Sequence, residues 1–275
     1  MSKELKIKLD SRSKLLRKNI VRALFSANRG HFGSSMSLVE ILRVLYDDII
    51  FYDYKNPKNE KRDRVILSKG HGCLALYSIL ADKKFFKMEE FDQFLNLNSI
   101  LGGHPENDKV PGVEASTGAL GHGLPIAVGI AISLKLKKSN SKVYVILGDG
   151  ELNEGSNWEA MLSANKHKLN NLKIIIDYNK IQSYDFVKKV VDLEPLNKKF
   201  KSFGFEVSEV NGHNIKDLKK NFLKFQNQKI KKTSVTICHT IKGRGFKMAE
   251  NNPEWHHKNN FTQKEKEMIK KSLIS

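Results

Sequence analysis

Apolar positions change their spacing part-way along the chain. Between residues 13 and 27, Leu16, Ile20 and Leu24 recur at helical intervals and predict an amphipathic helix. A second helix is predicted to begin at Ser37, where Ser37-x-x-Glu40 reads as a capping box ahead of "ILRVLY". Between them, "NRGHFGSSM" reads as a glycine-rich loop holding His31. A third helix follows "SKGHG" and runs through "LALYSILA". Residues 98–123 are rich in glycine and turn formers, and loops of that length are often functional. The next segment, "PIAVGIAISLKL", predicts a helix of small residues with Pro125 near its start, suited to close packing against another helix or subunit.

From residue 143 onward the pattern alternates. Strand-like runs at 143–147, 172–177, 205–210 and 234–239 are separated by helical segments. The runs are continuous and β-branched, as parallel strands covered on both faces should be. The expected fold class is α/β, a doubly wound, mainly parallel sheet with helices on both faces. No repeat, low-complexity tract or Pro/Gly linker divides the sequence, so residues 1–275 are expected to form a single domain.

Ligands of such sheets bind beyond the carboxyl ends of strands. In "VYVILGDGELNEG", Asp149 follows one strand; Asn179 follows the next, thirty residues later. A carboxylate, an amide oxygen and a nearby backbone carbonyl form a hard oxygen set that suits Mg²⁺. Gly148 and Gly150 would let a diphosphate approach the backbone, and the helix N-terminus beyond favours negative charge. A lone GDG is also a common turn. The matching strand ends and their spacing turn the reading toward a Mg²⁺-diphosphate site.

Composition changes this picture little. The net charge is +18, but only eight of the 48 basic residues are arginine, and the lysines are spread along the whole chain. That distribution describes a solvated surface rather than a nucleic-acid interface, although it could attract an anionic substrate or acidic partner. Cys73 and Cys238 are far apart and form no CxxC pair, so neither a disulfide framework nor a zinc site is suggested. "MSKELKIKLDSRSK" lacks the apolar core of a signal peptide, and "LPIAVGIAISL" is too short to span a bilayer. A soluble, cytoplasmic protein is expected, with no membrane or nucleic-acid partner.

Six motifs, in order, resemble the transketolase family over nearly the whole chain. They are "NRGHFGSSMS", "RVILSKGHGCLALY", "GGHPE", "PGVEASTGALGHGL", "GDGELNEGSNWEAMLSANKHKLNNLKIIIDYNK" and "HTIKGRGFKMAENNPEWHHK". The resemblance implies the thiamine-diphosphate-binding fold, in its diphosphate-binding (PP-type) domain, with thiamine diphosphate and Mg²⁺ as cofactors. It implies metal ligation by Asp149, Asn179 and the Ile181 carbonyl, and diphosphate contact through the Gly150 backbone. Gly118 and Leu120 match positions flanking the cofactor's central part, and Lys242 matches a lysine that reaches it in some members. His31, His71, His104 and His256 match histidines that line the funnel above the thiazolium or touch the diphosphate. His104 would bind the donor's first hydroxyl, while His31 and His256 would assist proton transfer. Glu154 and Glu159 match acids in a carboxylate network across a dimer interface; their plain alternative is a helix-terminal charge and a surface residue. His257 departs from the family, standing where related segments carry glycine, so either His256 or His257 could face the cofactor. His122, His167, His213 and His239 are expected to be structural.

The family's next domain carries the glutamate that activates the thiamine ring, the pyrimidine pocket and most substrate-phosphate arginines. A chain ending at "EKEMIKKSLIS" therefore resembles the N-terminal subunit of a split transketolase. Such a subunit would transfer a two-carbon ketol unit from a ketose or ketose phosphate to an aldose. It would be active only with a separate C-terminal subunit carrying the pyrimidine-binding domain, in a heterotetramer with two copies of each. The alternatives are a split enzyme making an unusual or branched sugar, the corresponding subunit of a 2-oxo-acid dehydrogenase, and a non-catalytic scaffold.

Overall fold

Strands buried on both faces must divide their side chains between two cores, and β-branched runs fill both. The computed structural model describes residues 5, 7–183, 185–226 and 230–274. The N-terminal stretch that lacks a signal-peptide core, and the ends of the expected 1–275 domain, lie partly outside the described residues. In chain order the main elements are α1 (Ser11–Ala27), α2 (Phe32–Ser37), α3 (Val39–Val44), β1 (Arg64–Leu67), α4 (Cys73–Asp82), α5 (Gly123–Leu136), β2 (Val143–Gly148) and α6 (Gly155–Lys166). They continue with β3 (Leu172–Tyr178), α7 (Val187–Val190), α8 (Leu196–Ser202), β4 (Glu206–Asn211), α9 (Ile215–Gln226), β5 (Ser234–His239) and α10 (Gln263–Ile274).

The five strands form one sheet in the order β1-β2-β3-β5-β4, and every pair is parallel. Along β2, Tyr144 and Ile146 join a core built with α1, α3 and α4, while Val143, Val145 and Leu147 join a second core built with α5 and α6. This is the expected doubly wound sheet. The register pairs Gly148 with Asp177, and Asp177 with Cys238. The loops leaving β2, β3 and β5 therefore start level with one another, along one edge.

Two local expectations need correcting. The capping box does not form: Ser37 is the last residue of α2, not the start of a helix. Its hydroxyl bonds the Ser34 carbonyl at 3.1 Å and the Asp177 carboxylate at 2.6 Å. Glu40 is taken by Arg17 and His213 instead of by a helix end. Consequently the supposed loop "NRGHFGSSM" is helical from Phe32. The sequence pattern also predicts four strands, whereas the sheet has a fifth, the four-residue β1. Its brevity leaves too few residues to show a period.

Among the described residues, no helix is long and apolar enough to cross a membrane.

Candidate active site

The site begins where β2 and β3 end. Asp149 is buried; one carboxylate oxygen accepts from the Gly150 amide at 2.8 Å and the other from the Lys180 amide. Lys180 adopts a left-handed backbone, φ 69°, uncommon for a side-chain-bearing residue and frequent where a site needs a tight turn. That turn lets the Asn179 side-chain oxygen accept from the Ile181 amide at 3.1 Å. Asp149, Asn179 and the Ile181 carbonyl belong to this one loop cluster, as expected.

Beside them lies an acid that no local sequence signal marks. Asp177, the residue level with Gly148, accepts from Lys69, Ser37, Thr240 and Asn179. These donors, led by Lys69, outweigh the effect of burial and hold its carboxyl below the usual range. Burial first, and then the charge of Asp177, push the Asp149 carboxyl up to about 6. Lys69 is thus committed to Asp177 and leaves Asp149 short of positive charge.

Lys242 joins this acidic end to the histidines. Its buried ammonium donates to the Ile181 carbonyl at 2.8 Å and lies 2.7 Å from His256 Nδ1. Burial, and then Lys69, lower the Lys242 pKa to about 7. From His256 a cluster of rings extends outward. The His31 ring centre lies 5.4 Å from those of His71 and His256, 6.0 Å from that of His104 and 4.5 Å from that of His257. His71 and His256 are 5.3 Å apart. Burial dominates the titration of these rings, bringing His31 down to about 3 and His256 down to about 2, with His71, His104 and His257 also lowered. Neutral imidazoles can both accept and donate a proton, which suits chemistry on hydroxyl groups.

The two neighbouring histidines differ in what they contact. His256 turns to Lys242 and the acidic end; His257 is exposed and packs on the outer side of His31. Gly118 stands beside His104 at φ 151°, where an added Cβ would come within 3.0 Å of that ring. Leu120, half-buried, continues the same loop. Glu154 and Glu159 are exposed and are not drawn into the cluster within this chain. Of the histidines expected to be structural, His213 is buried between Glu40, at 2.8 Å, and the Ile241 amide, at 2.8 Å. His239 meets Glu209 at 2.7 Å, while His122 and His167 are exposed.

A second residue missed by sequence reasoning organises the loops. Glu151 is buried and accepts from Ser68, from the Gly121 amide at 3.0 Å and from the Gly148 amide at 3.1 Å. It ties the loops after β1 and before α5 to the end of β2. A carboxylate following GDG could have signalled this, but nothing local distinguishes it from Glu154.

Three features test whether a metal and a diphosphate fit here. Among the described residues no group of three or more His, Cys, Asp or Glu side chains is arranged to hold a metal. The Asp149 carboxylate, Asn179 amide oxygen and Ile181 carbonyl are hard oxygen donors, a set that suits a hard cation drawing its remaining ligands from phosphate and water. A Cβ on Gly150 would come within 2.6 Å of Gln182, so only glycine leaves the backbone open there. Gln182 Nε2, beside it, is buried without a hydrogen-bond partner, a free donor for an anion. The residues fit both groups.

Residues 11–273 match the family described as transketolase, thiamine diphosphate binding domain. The chain belongs to the transketolase family. Transketolases are transferases, and thiamine diphosphate is the cofactor of this domain. The chain is 44% identical over 253 residues to an apulose-4-phosphate transketolase subunit from Actinobacillus succinogenes, covering 91% of this chain and 90% of that one. It is 34% identical over 247 residues to a 6-deoxy-6-sulfo-D-fructose transketolase subunit from a Clostridium species, covering 90% of each. The crystal structure of transketolase from Campylobacter jejuni superposes with a TM-score of 0.87 at 31% identity. That match covers 95% of this chain and 42% of the longer transketolase, so the chain spans under half the length of that relative.

Proposed function

We propose that this chain is the N-terminal, cofactor-binding subunit of a two-polypeptide, Mg²⁺-dependent transketolase of the cytoplasm. It acts with a separate subunit that carries the pyrimidine-binding domain, two copies of each forming a heterotetramer. Residues 1–275 form one diphosphate-binding domain in this reading. The observation that carries it is Lys242, which bridges the Ile181 carbonyl and His256 and so links an oxygen-donor loop to a cluster of neutral histidines.

Asp149, Asn179 and the Ile181 carbonyl would hold Mg²⁺. Gly150, through its backbone, and His71 would receive the diphosphate, with Gly118 and Leu120 along the cofactor's central part and Lys242 and His256 at its inner side. Bound thiamine diphosphate supplies a nucleophilic carbon for the ketose carbonyl and an electron sink for the two-carbon fragment. His104 would hold the donor's first hydroxyl. His31 and His256 would take and return hydroxyl protons, a role for which neutral imidazole is suited. Glu154 and Glu159 would meet the partner across an interface. Their exposure supports this, as does Leu162, which leaves 64% of its surface open on the same helix.

The reaction transfers a two-carbon ketol unit from a ketose phosphate to an aldose. A separate partner is supported by relatives named as subunits that match over nine-tenths of both chains. A second reading narrows the substrate to a branched sugar phosphate, favoured by the 44% identity to the apulose-4-phosphate enzyme.

Calorimetric titration of thiamine diphosphate with Mg²⁺ into the purified chain, first without and then with its co-purified partner, tests the proposal. Binding that needs Mg²⁺ and the partner and is lost in Asp149→Ala is expected, followed by ketol transfer in the complex. No binding by the complex would sink this reading and leave a non-catalytic scaffold.

A further inference from the structure

The chain has eight arginines, and seven of them meet a carboxylate. Arg29 is the exception: among the described residues no carboxylate pairs with it. It lies exposed just beyond α1, at the rim of a cavity of about 270 Å³. His31 and His71 line this cavity, with His104 and His257 also on its wall. No Asp or Glu is among its lining residues. Each charged group that acts on His31 is a cation or a titratable histidine: His257, His104, Lys242 and Lys69. Arg29 also lies close enough to His257 to oppose its protonation.

A cavity with a guanidinium and an imidazole at its mouth, and no acid in its wall, is built for an anion. Arginine matches the oxygens of a phosphate with two parallel N–H donors, and a neutral histidine adds a third. The arrangement also has direction. His256, bonded to Lys242, lies toward the oxygen-donor loop, and His257 lies toward Arg29, with His31 touching both.

We propose that Arg29 and His257 form an anion subsite that grips the terminal phosphate of the sugar substrate, so that this subunit itself selects phosphorylated sugars. The inference rests on the transketolase reading for the identity of the substrate. The subsite accounts for an otherwise idle feature, a guanidinium that no carboxylate pairs with among the described residues. Its role is to position the far end of the sugar while the inner histidines handle the hydroxyl groups.

The test is equilibrium binding of ribose 5-phosphate and of ribose to the two-subunit complex loaded with thiamine diphosphate and Mg²⁺, read by calorimetry, which needs no turnover. The wild type is expected to prefer the phosphorylated sugar by at least about tenfold. Arg29→Ala should cut that preference at least about fivefold, His257→Gly should cut it by less, and Arg29→Lys should restore part of it, all with unchanged thiamine diphosphate affinity. In steady-state transfer, Arg29→Ala should raise KM for the phosphorylated sugar far more than it lowers kcat. A wild type that binds both sugars equally, or an Arg29→Ala protein whose preference is undiminished, overturns the subsite. Absent ketol transfer with the binding preference intact would overturn the proposed reaction and leave the subsite standing.

Discussion

Glu40 and Asp149 are both sealed from solvent, at 1% and 2% exposure, yet their surroundings treat a negative charge in opposite ways. Around Glu40, Arg17 donates twice, at 2.6 and 3.0 Å, and His213 adds a contact at 2.8 Å. Burial acts to raise its pKa, but Arg17 and His213 outweigh that and hold the carboxyl well below the usual range. Asp149 receives two backbone amides and a like-charged neighbour, and its carboxyl is pushed up. The first acid is matched to its partners and fastens α1 and α3 to the loop after β4. The second is less fully compensated, which supports its proposed role as a ligand to a cation. What separates scaffold from site here is how much of a buried charge the protein itself compensates, not how deeply it is buried.

Glu40→Ala should break the scaffold side of the comparison. It strands the Arg17 guanidinium, a change that typically costs about 3–5 kcal/mol, and denaturant unfolding should register it. Asp149→Ala should show the reverse pattern: unfolding free energy unchanged or raised, and thiamine diphosphate bound at least about 100-fold more weakly, near 2.8 kcal/mol. Similar stability losses in both variants would erase the distinction.

The histidine cluster sharpens it through pH. His31 is held at about 3, below its ordinary value near 6.5, so it is neutral in both folded and unfolded chains above that pH. Below 6.5 the unfolded chain takes up a proton that the folded one refuses. Stability should therefore fall as pH drops from 6.5 toward 3, by at most about 1.4 kcal/mol per pH unit from this residue. Urea midpoints at pH 7, 6 and 5 should follow this course, and His31→Asn should make it less steep without abolishing it, since His71 and His256 act in the same direction. A wild-type midpoint that stays level over that range would contradict the reading.

The smallest effect is expected at Glu159. In the isolated chain Glu159→Gln should shift stability by under about 0.5 kcal/mol, as surface changes do. With the partner present it should slow turnover, measured by initial rates on the assembled enzyme.

The strands β2, β3, β4 and β5 were legible because each is a long enough apolar or alternating run to show its period. β1 was not, since four residues carry no period and its neighbours read as loop. The helix start at Ser37 misled because its local signal is real while its partner is remote: the hydroxyl bonds Asp177, 140 residues away. The same remoteness hid Lys69, Asp177 and Glu151. Each acts through contacts across loops that only the register of the sheet brings level. Asp149 and Asn179 could be found because strand ends and spacing mark them. Arg29 looked like one basic residue among many until the other seven arginines were seen to have carboxylates.

Glu151 carries a consequence for anyone recombining such subunits. One side chain closes three loops at once, at Ser68, Gly121 and Gly148. Those loops form a single inheritable cassette: a chimera that imports one of them from a homologue must import all three, or leave a buried acid facing the wrong donors.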